Sequence, residues 1–199
     1  MSSFDYSEQE LDFLKKKDKK LCEAIERVGK IAREVTPDIF AALISSIVSQ
    51  QISNKAAETV GNRLYELLGE ITPQTVQKTA IEDIQKCGMS MRKAGYIKGI
   101  GDAVTSGVID LASFPDKTDE EIISELSALN GIGVWTAEML LIFSLGRKDV
   151  LSWGDLAIRR GICNLYHHET LTKEQFKRYK KRYSPYGSIA SLYLWELSK

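Results

Sequence analysis

Apolar residues recur at three- and four-residue spacing along nearly the whole chain, the period of helices that bury one face. Ser7 followed by Glu10 has the form of a capping box. The helix it opens is predicted to continue through Leu11, Leu14, Leu21 and Ile25, with the lysines of Lys15-Lys16-Lys17-Asp18-Lys19-Lys20 facing water. Pro37 suits a first helical turn, and Ile39, Phe40, Leu43, Ile44, Ile47 and Val48 predict a buried helix ending near Gln50. Asn54 is placed as the cap of a helix carrying Ala57, Val60, Leu64, Leu67 and Leu68 that ends at Gly69, and Pro73 begins a short one. Further helices are predicted from about Ser90 past Ile97 and Ile100 to Val108, from Thr118 to Ser127, from Val134 to Leu145, and through Ile158, Ile162 and Leu165. Asp149-Val150-Leu151 is the one ambiguous strand signal. The pattern predicts an all-α protein without repeats, low-complexity segments or an obvious linker.

The 199 residues suit one compact domain or two small lobes. Twenty-seven Lys and Arg balance 27 Asp and Glu, so no overall field draws the chain to a polyanion, and any such affinity must come from local placement of charge. Cys22, Cys87 and Cys163 are too far apart in sequence for a zinc site or an iron–sulfur cluster and read as reduced thiols. Neither a signal peptide nor a stretch able to span a bilayer is visible. The expectation is an intracellular protein, cytoplasmic and nucleoid-associated if bacterial, monomeric and without a membrane partner.

Two segments carry chemistry. Leu129-Asn130-Gly131-Ile132-Gly133-Val134-Trp135-Thr136-Ala137 places two glycines between helical patterns, where positive φ and the missing Cβ let backbone amides converge on an anion. The same spacing also serves a plain inter-helix turn. About twenty residues on, Asp155 stands in Ser152-Trp153-Gly154-Asp155-Leu156-Ala157-Ile158-Arg159-Arg160, where it can cap the helix that follows, act as a carboxylate in catalysis, or both.

Together these segments resemble the signature of the helix-hairpin-helix (HhH-GPD) DNA glycosylase superfamily. Three others agree: Ala42 to Ser53, with Ser49-Gln50-Gln51-Ile52-Ser53 at the family's DNA-insertion loop; Gly88 to Ile97 at its second DNA-facing turn; and Tyr186 to Trp195, similar to the last helix of the alkylated-base branch. The resemblance spans roughly residues 38 to 197. Bifunctional members carry a lysine two positions after the second hairpin glycine, whose amine attacks the sugar; this chain has Trp135. The resemblance therefore points to a monofunctional enzyme of the 3-methyladenine glycosylase II type.

That resemblance implies a two-lobed helical bundle with the active-site cleft between lobes. One lobe would cover about residues 35–115; the other would cover about 116–199 with the N-terminal helix, the hairpin lying at 129–134. The implied partner is double-stranded DNA containing damaged bases, from which alkylated purines of the 3-methyladenine and 7-methylguanine type are hydrolysed after base flipping. Asp155 is the implied catalytic carboxylate. Trp135 and Trp195 are expected to stack the base, with Met139, Trp153, Phe40 and Tyr186 as weaker pocket candidates; each of these residues also suits a core. Gln51 is expected to fill the gap left by the flipped base, with Met89 as a second wedge.

Phosphate contacts are expected from the amides of Gly131, Gly133 and Thr136 and from Arg92, Lys93 and Arg159 or Arg160. No cofactor is implied, apart from a structural sodium or potassium ion on the backbone carbonyls of Ser127, Leu129 and Ile132. The basic stretch Lys173 to Arg182 reads as a solvated helix face or a DNA-facing one. His167 and His168 are expected to close the helix after Asp155 rather than bind metal. Two other functions fit the same segments: excision of another lesion, such as uracil, hypoxanthine or 8-oxoguanine, and damage binding without catalysis, for which Asp155 would be dispensable.

Overall fold

The computed structural model describes residues 3–199, and among these the regular elements are helical. The α-helices are α1 Glu8–Lys17, α2 Lys19–Val28, α3 Ile39–Ser49, α4 Asn54–Leu68, α5 Pro73–Lys78, α6 Ile81–Lys86, α7 Met91–Thr105, α8 Asp119–Ser127, α9 Val134–Phe143, α10 Leu156–Tyr166, α11 Lys173–Tyr183 and α12 Gly187–Leu197. A 3-10 turn spans Leu111–Asp116.

The chain divides into two compact units. One holds the residues up to Val35 together with Leu141–Lys199, the other Thr36–Leu140. The second unit thus runs on past the boundary near residue 115 expected from the sequence, and takes in the glycine hairpin.

In the first unit the capping box of Ser7 and Glu10 is formed, with the Glu10 carboxylate accepting from the Ser7 amide at 2.6 Å. The single helix expected through Ile25 is instead two. Asp18 adopts an extended conformation, ends α1 and caps α2 through the Leu21 amide at 3.0 Å. Its other oxygen receives the Tyr166 hydroxyl and Arg182 Nη1, the latter at 2.5 Å, so tertiary partners on α10 and α11 cause the break. Burial pushes the Asp18 carboxyl up, but these hydrogen bonds outweigh it and hold it below the usual carboxylate range.

Asp149-Val150-Leu151 is not a strand. The Asp149 carboxylate receives the Gly187 amide at 3.0 Å and the Ser184 hydroxyl at 2.5 Å, fixing the start of α12. Helices α10 and α12 pack so closely that a Cβ on Gly161 would lie 2.1 Å from the Leu194 carbonyl oxygen. Only glycine fits there, although it costs a helix interior about 1 kcal/mol relative to alanine.

In the second unit α3 buries Leu43, Ile44 and Ile47 completely, each contributing roughly 2 kcal/mol of apolar transfer. Two caps differ by a residue from expectation: Asp38, not the turn at Pro37, opens α3, and Ser53 rather than Asn54 caps α4. Asp38 and Ser53 both have extended φ and ψ, and their side-chain oxygens accept from the Ala41 and Ala56 amides. The short α6 and the 3-10 turn have too few turns to show a period.

Candidate DNA-repair site

Asp155 is the cap of α10. Its backbone is extended, and Oδ1 accepts from the amides of Ala157 at 2.8 Å and Ile158 at 2.9 Å. Oδ2 accepts from Trp195 Nε1 at 3.2 Å. The carboxylate is 7% exposed, so a side chain read as either cap or acid is placed as a cap whose second oxygen is oriented by an indole.

Trp195 has one face stacked on Phe143, with centroids 5.6 Å apart and planes at 29°, and the ring keeps partial exposure. Trp153 is used differently from the stacking role considered for it. Its edge meets Phe176 at 5.2 Å and its face carries the Arg159 guanidinium at 4.8 Å. Arg159 is correspondingly packed on Trp153, with its Nε buried and without a hydrogen-bond partner. Arg160 is exposed, and Tyr186 packs edge-on against Phe13 at 5.1 Å.

In the second unit, Gly131 has φ +88, and a Cβ there would meet the Tyr96 ring at 2.4 Å. It is therefore the residue that makes the hairpin possible; Gly133 is exposed and does not need a positive φ. The Ile132 amide donates to the Leu129 carbonyl at 3.1 Å, closing the turn. Thr136 follows, half-buried, in the first turn of α9, and Trp135 beside it is 49% exposed.

Gln51 follows the end of α3 with φ +59, an unusual conformation for a residue with a side chain, and is exposed. Lys93, expected to face phosphate, instead holds this turn from behind. Its Nζ donates to the carbonyls of Val48 at 2.9 Å and Gln50 at 2.6 Å, the unsatisfied acceptors at a helix C-terminus. Burial of this ammonium lowers its pKa. Gln50, missed by the sequence reading, donates Nε2 to the Gly131 carbonyl at 2.8 Å and so ties the turn to the hairpin. The signal was present in the paired glutamines at a helix end.

Met89 is 8% exposed and lines a cavity of about 210 Å³ with Gln51, Ile52 and Gly88, so it supports the turn rather than projecting as a wedge. Phe40 is 4% exposed and offers no open ring face. Met139 is half-buried on α9, and Arg92 is exposed at the start of α7.

His167 ends α10 in the left-handed region, and His168 bonds Tyr179 at 2.7 Å. Among the described residues no group of three or more His, Cys, Asp or Glu is placed to hold a metal, and no helix is long and apolar enough to cross a membrane.

A helix, a hairpin bent at a positive-φ glycine, a second helix and a downstream capping aspartate define the class. Residues 44–185 match the HhH-GPD superfamily base excision DNA repair protein family, and the chain belongs to it. It is similar to DNA-3-methyladenine glycosylase 1 of Schizosaccharomyces pombe, 36% identical over 165 residues covering 80% of this chain and 72% of the relative. The DNA-3-methyladenine glycosylase of Saccharomyces cerevisiae is 32% identical over 200 residues, covering 81% and 67% respectively. Among solved structures, the DNA-3-methyladenine glycosidase of Bacillus halodurans aligns over 99% of this chain and 91% of that one, with TM-score 0.88 and 36% identity. The S. pombe 3-methyladenine DNA glycosylase in complex with abasic DNA aligns over 96% of each chain, with TM-score 0.81 and 32% identity.

Proposed function

We propose that this protein is a DNA glycosylase of base excision repair that hydrolyses the N-glycosidic bond of alkylated purines in duplex DNA and leaves an abasic site without cutting the strand. The observation that carries this reading is Asp155, fixed at the head of α10 by two amides and by the indole of Trp195. Breaking the bond between C1′ and the base nitrogen develops positive charge on the sugar, which a rigid carboxylate stabilises, and water then supplies the oxygen at C1′. Asp155 orients that water and accepts its proton. A 3-methyladenine or 7-methylguanine base leaves as a neutral molecule because it is already cationic in DNA, so no protein acid is needed.

In this reading Asp155 and Trp195 act at the sugar, Gly131, Gly133 and Thr136 grip a phosphate, the exposed indole of Trp135 stacks on the base and Gln51 fills the gap. Arg92 adds charge at the second turn. Trp135 in place of an amine leaves no nucleophile for a Schiff base at that position. The carbonyls of Ser127, Leu129 and Ile132 are neutral oxygen donors suited to a monovalent cation, which would stiffen the hairpin and take no part in bond breaking.

The test is to incubate the purified protein with methylated duplex DNA and resolve free bases and DNA strands separately. Methylated purines released with strands intact until alkali is added are expected. No released base overturns the glycosylase reading, and strand scission without alkali overturns the hydrolytic one.

A further inference from the structure

The charge balance of the whole chain conceals a strong local imbalance. Residues 15–20 and 173–182 contain eleven of the 27 cationic side chains and two of the 27 acidic ones, so these sixteen residues carry +9 and the other 183 carry −9. The fold brings the two segments together within the first unit. Arg182 of α11 bonds Asp18 at the junction of α1 and α2, and the Lys20 ammonium lies 5.7 Å from the centroid of the Tyr166 ring, over which Arg182 also sits at 5.9 Å.

Helix α11 turns Phe176, Tyr179 and Tyr183 inward, which leaves Lys173, Lys177, Lys180 and Lys181, at helical spacing, exposed on its other side. Lys16, Lys17 and Lys19 are exposed beside the junction. At its other end α11 reaches the site itself, since Phe176 packs on Trp153, two residues from Asp155. The result is a lysine track about 16 Å long, the length of an eleven-residue helix, leading from the Asp155 loop to the α1–α2 junction.

We propose that this track binds the sugar–phosphate backbone of duplex DNA, independently of sequence and of damage, and so supplies the non-specific affinity by which a protein of zero net charge searches DNA. The inference rests on the DNA reading above. Long, mobile lysines spaced along one helix face suit a repeating line of phosphates better than a shaped ligand, because each neutralised phosphate releases counterions and none must be read precisely in geometry. Eight exposed lysines in the two segments, Lys20 included, against one exposed acid, Glu174, give the complementary sign.

The test replaces Lys16, Lys173, Lys177 and Lys181 with glutamine and compares this variant with one in which the exposed Lys30, Lys78, Lys86 and Lys199 are replaced. Binding to an undamaged duplex of about thirty base pairs is measured over a range of salt. The track variant is expected to lose about three to four from the slope of log affinity against log salt, and at least tenfold in affinity at low salt. Single-turnover base release from methylated duplex at saturating protein stays within about twofold of wild type, since no residue that acts on the nucleotide has changed.

An unchanged slope overturns the proposal, as does an equal loss in the control variant, which would report net charge alone. A variant that keeps its DNA slope but loses retention on polyglutamate assigns the track to an acidic protein and also overturns it. Wild type that binds with the expected slope and releases no base defeats the function proposed above and leaves the track standing.

Discussion

Asp18 and Asp155 begin from the same local chemistry. Each is a buried aspartate with extended backbone at the head of a helix in the first unit, each caps that helix, and each meets an aromatic donor from a distant helix. They differ in what reaches the second oxygen. At Asp18 a phenol and a guanidinium converge, the latter at 2.5 Å, and the carboxylate is bound into the junction of α2, α10 and α11. At Asp155 the second oxygen meets an indole at the longer distance of 3.2 Å. Capping is written in the sequence within three residues; whether a capping acid clamps a fold or serves a reaction is decided by what comes from elsewhere.

That contrast can be broken by substitution. Asp155→Asn keeps a capping oxygen and removes the charge, so single-turnover base release should fall by about a thousandfold or more while the melting temperature moves by less than about 2 °C. A variant that retains activity removes the distinction between the two acids. Asp18→Ala should do the reverse, costing roughly 2–3 kcal/mol through the lost cap and the unpaired Tyr166 and Arg182, seen as a melting temperature about 5–10 °C lower. Activity well below the melt should stay within a few-fold of wild type.

Trp195→Phe preserves a ring against Phe143 but removes the N–H that meets Asp155. Turnover should fall about tenfold with little change in KM, an effect a purely stacking residue would not show. Acid provides a finer check. The Asp18 carboxyl lies below its ordinary range in the folded protein, so its contribution is complete above the unfolded value near pH 4 and drains away as pH falls through the lower folded value. The stability gap between wild type and Asp18→Ala, followed by denaturant melts, should therefore narrow below about pH 4.

The smallest effect is expected at Lys93. Lys93→Met should cost about 1 kcal/mol of stability and leave the salt slope of DNA binding unchanged, whereas a phosphate ligand would take about one unit from that slope.

The residues explain what could be read in advance. Ser7 with Glu10, the helix from Thr118 to Ser127 and the α3 stripe are short-range patterns, and they form as the sequence predicts. Leu14 and Leu21 sit seven apart, a spacing that fits an unbroken helix, so the break at Asp18 was invisible without Tyr166 and Arg182. Lys93 and Arg92 look alike as neighbouring charges; only the distances to the Val48 and Gln50 carbonyls separate a brace from an exposed cation. Asp155 was legible as a cap, and the family resemblance added the expectation of a catalytic carboxylate. Its bond to Trp195, forty residues away, was not.

Gly161 carries a consequence for anyone who would engineer this protein. Helix propensity recommends alanine in the middle of α10, and a stability screen scoring local sequence would choose it early. The added methyl would drive α10 away from the Leu194 carbonyl, the residue next to Trp195, and so separate the indole from the carboxylate six residues upstream. A position with no reactive group thus sets the spacing of Asp155 and Trp195, and optimising the helix by itself would pull that hydrogen-bonded pair apart.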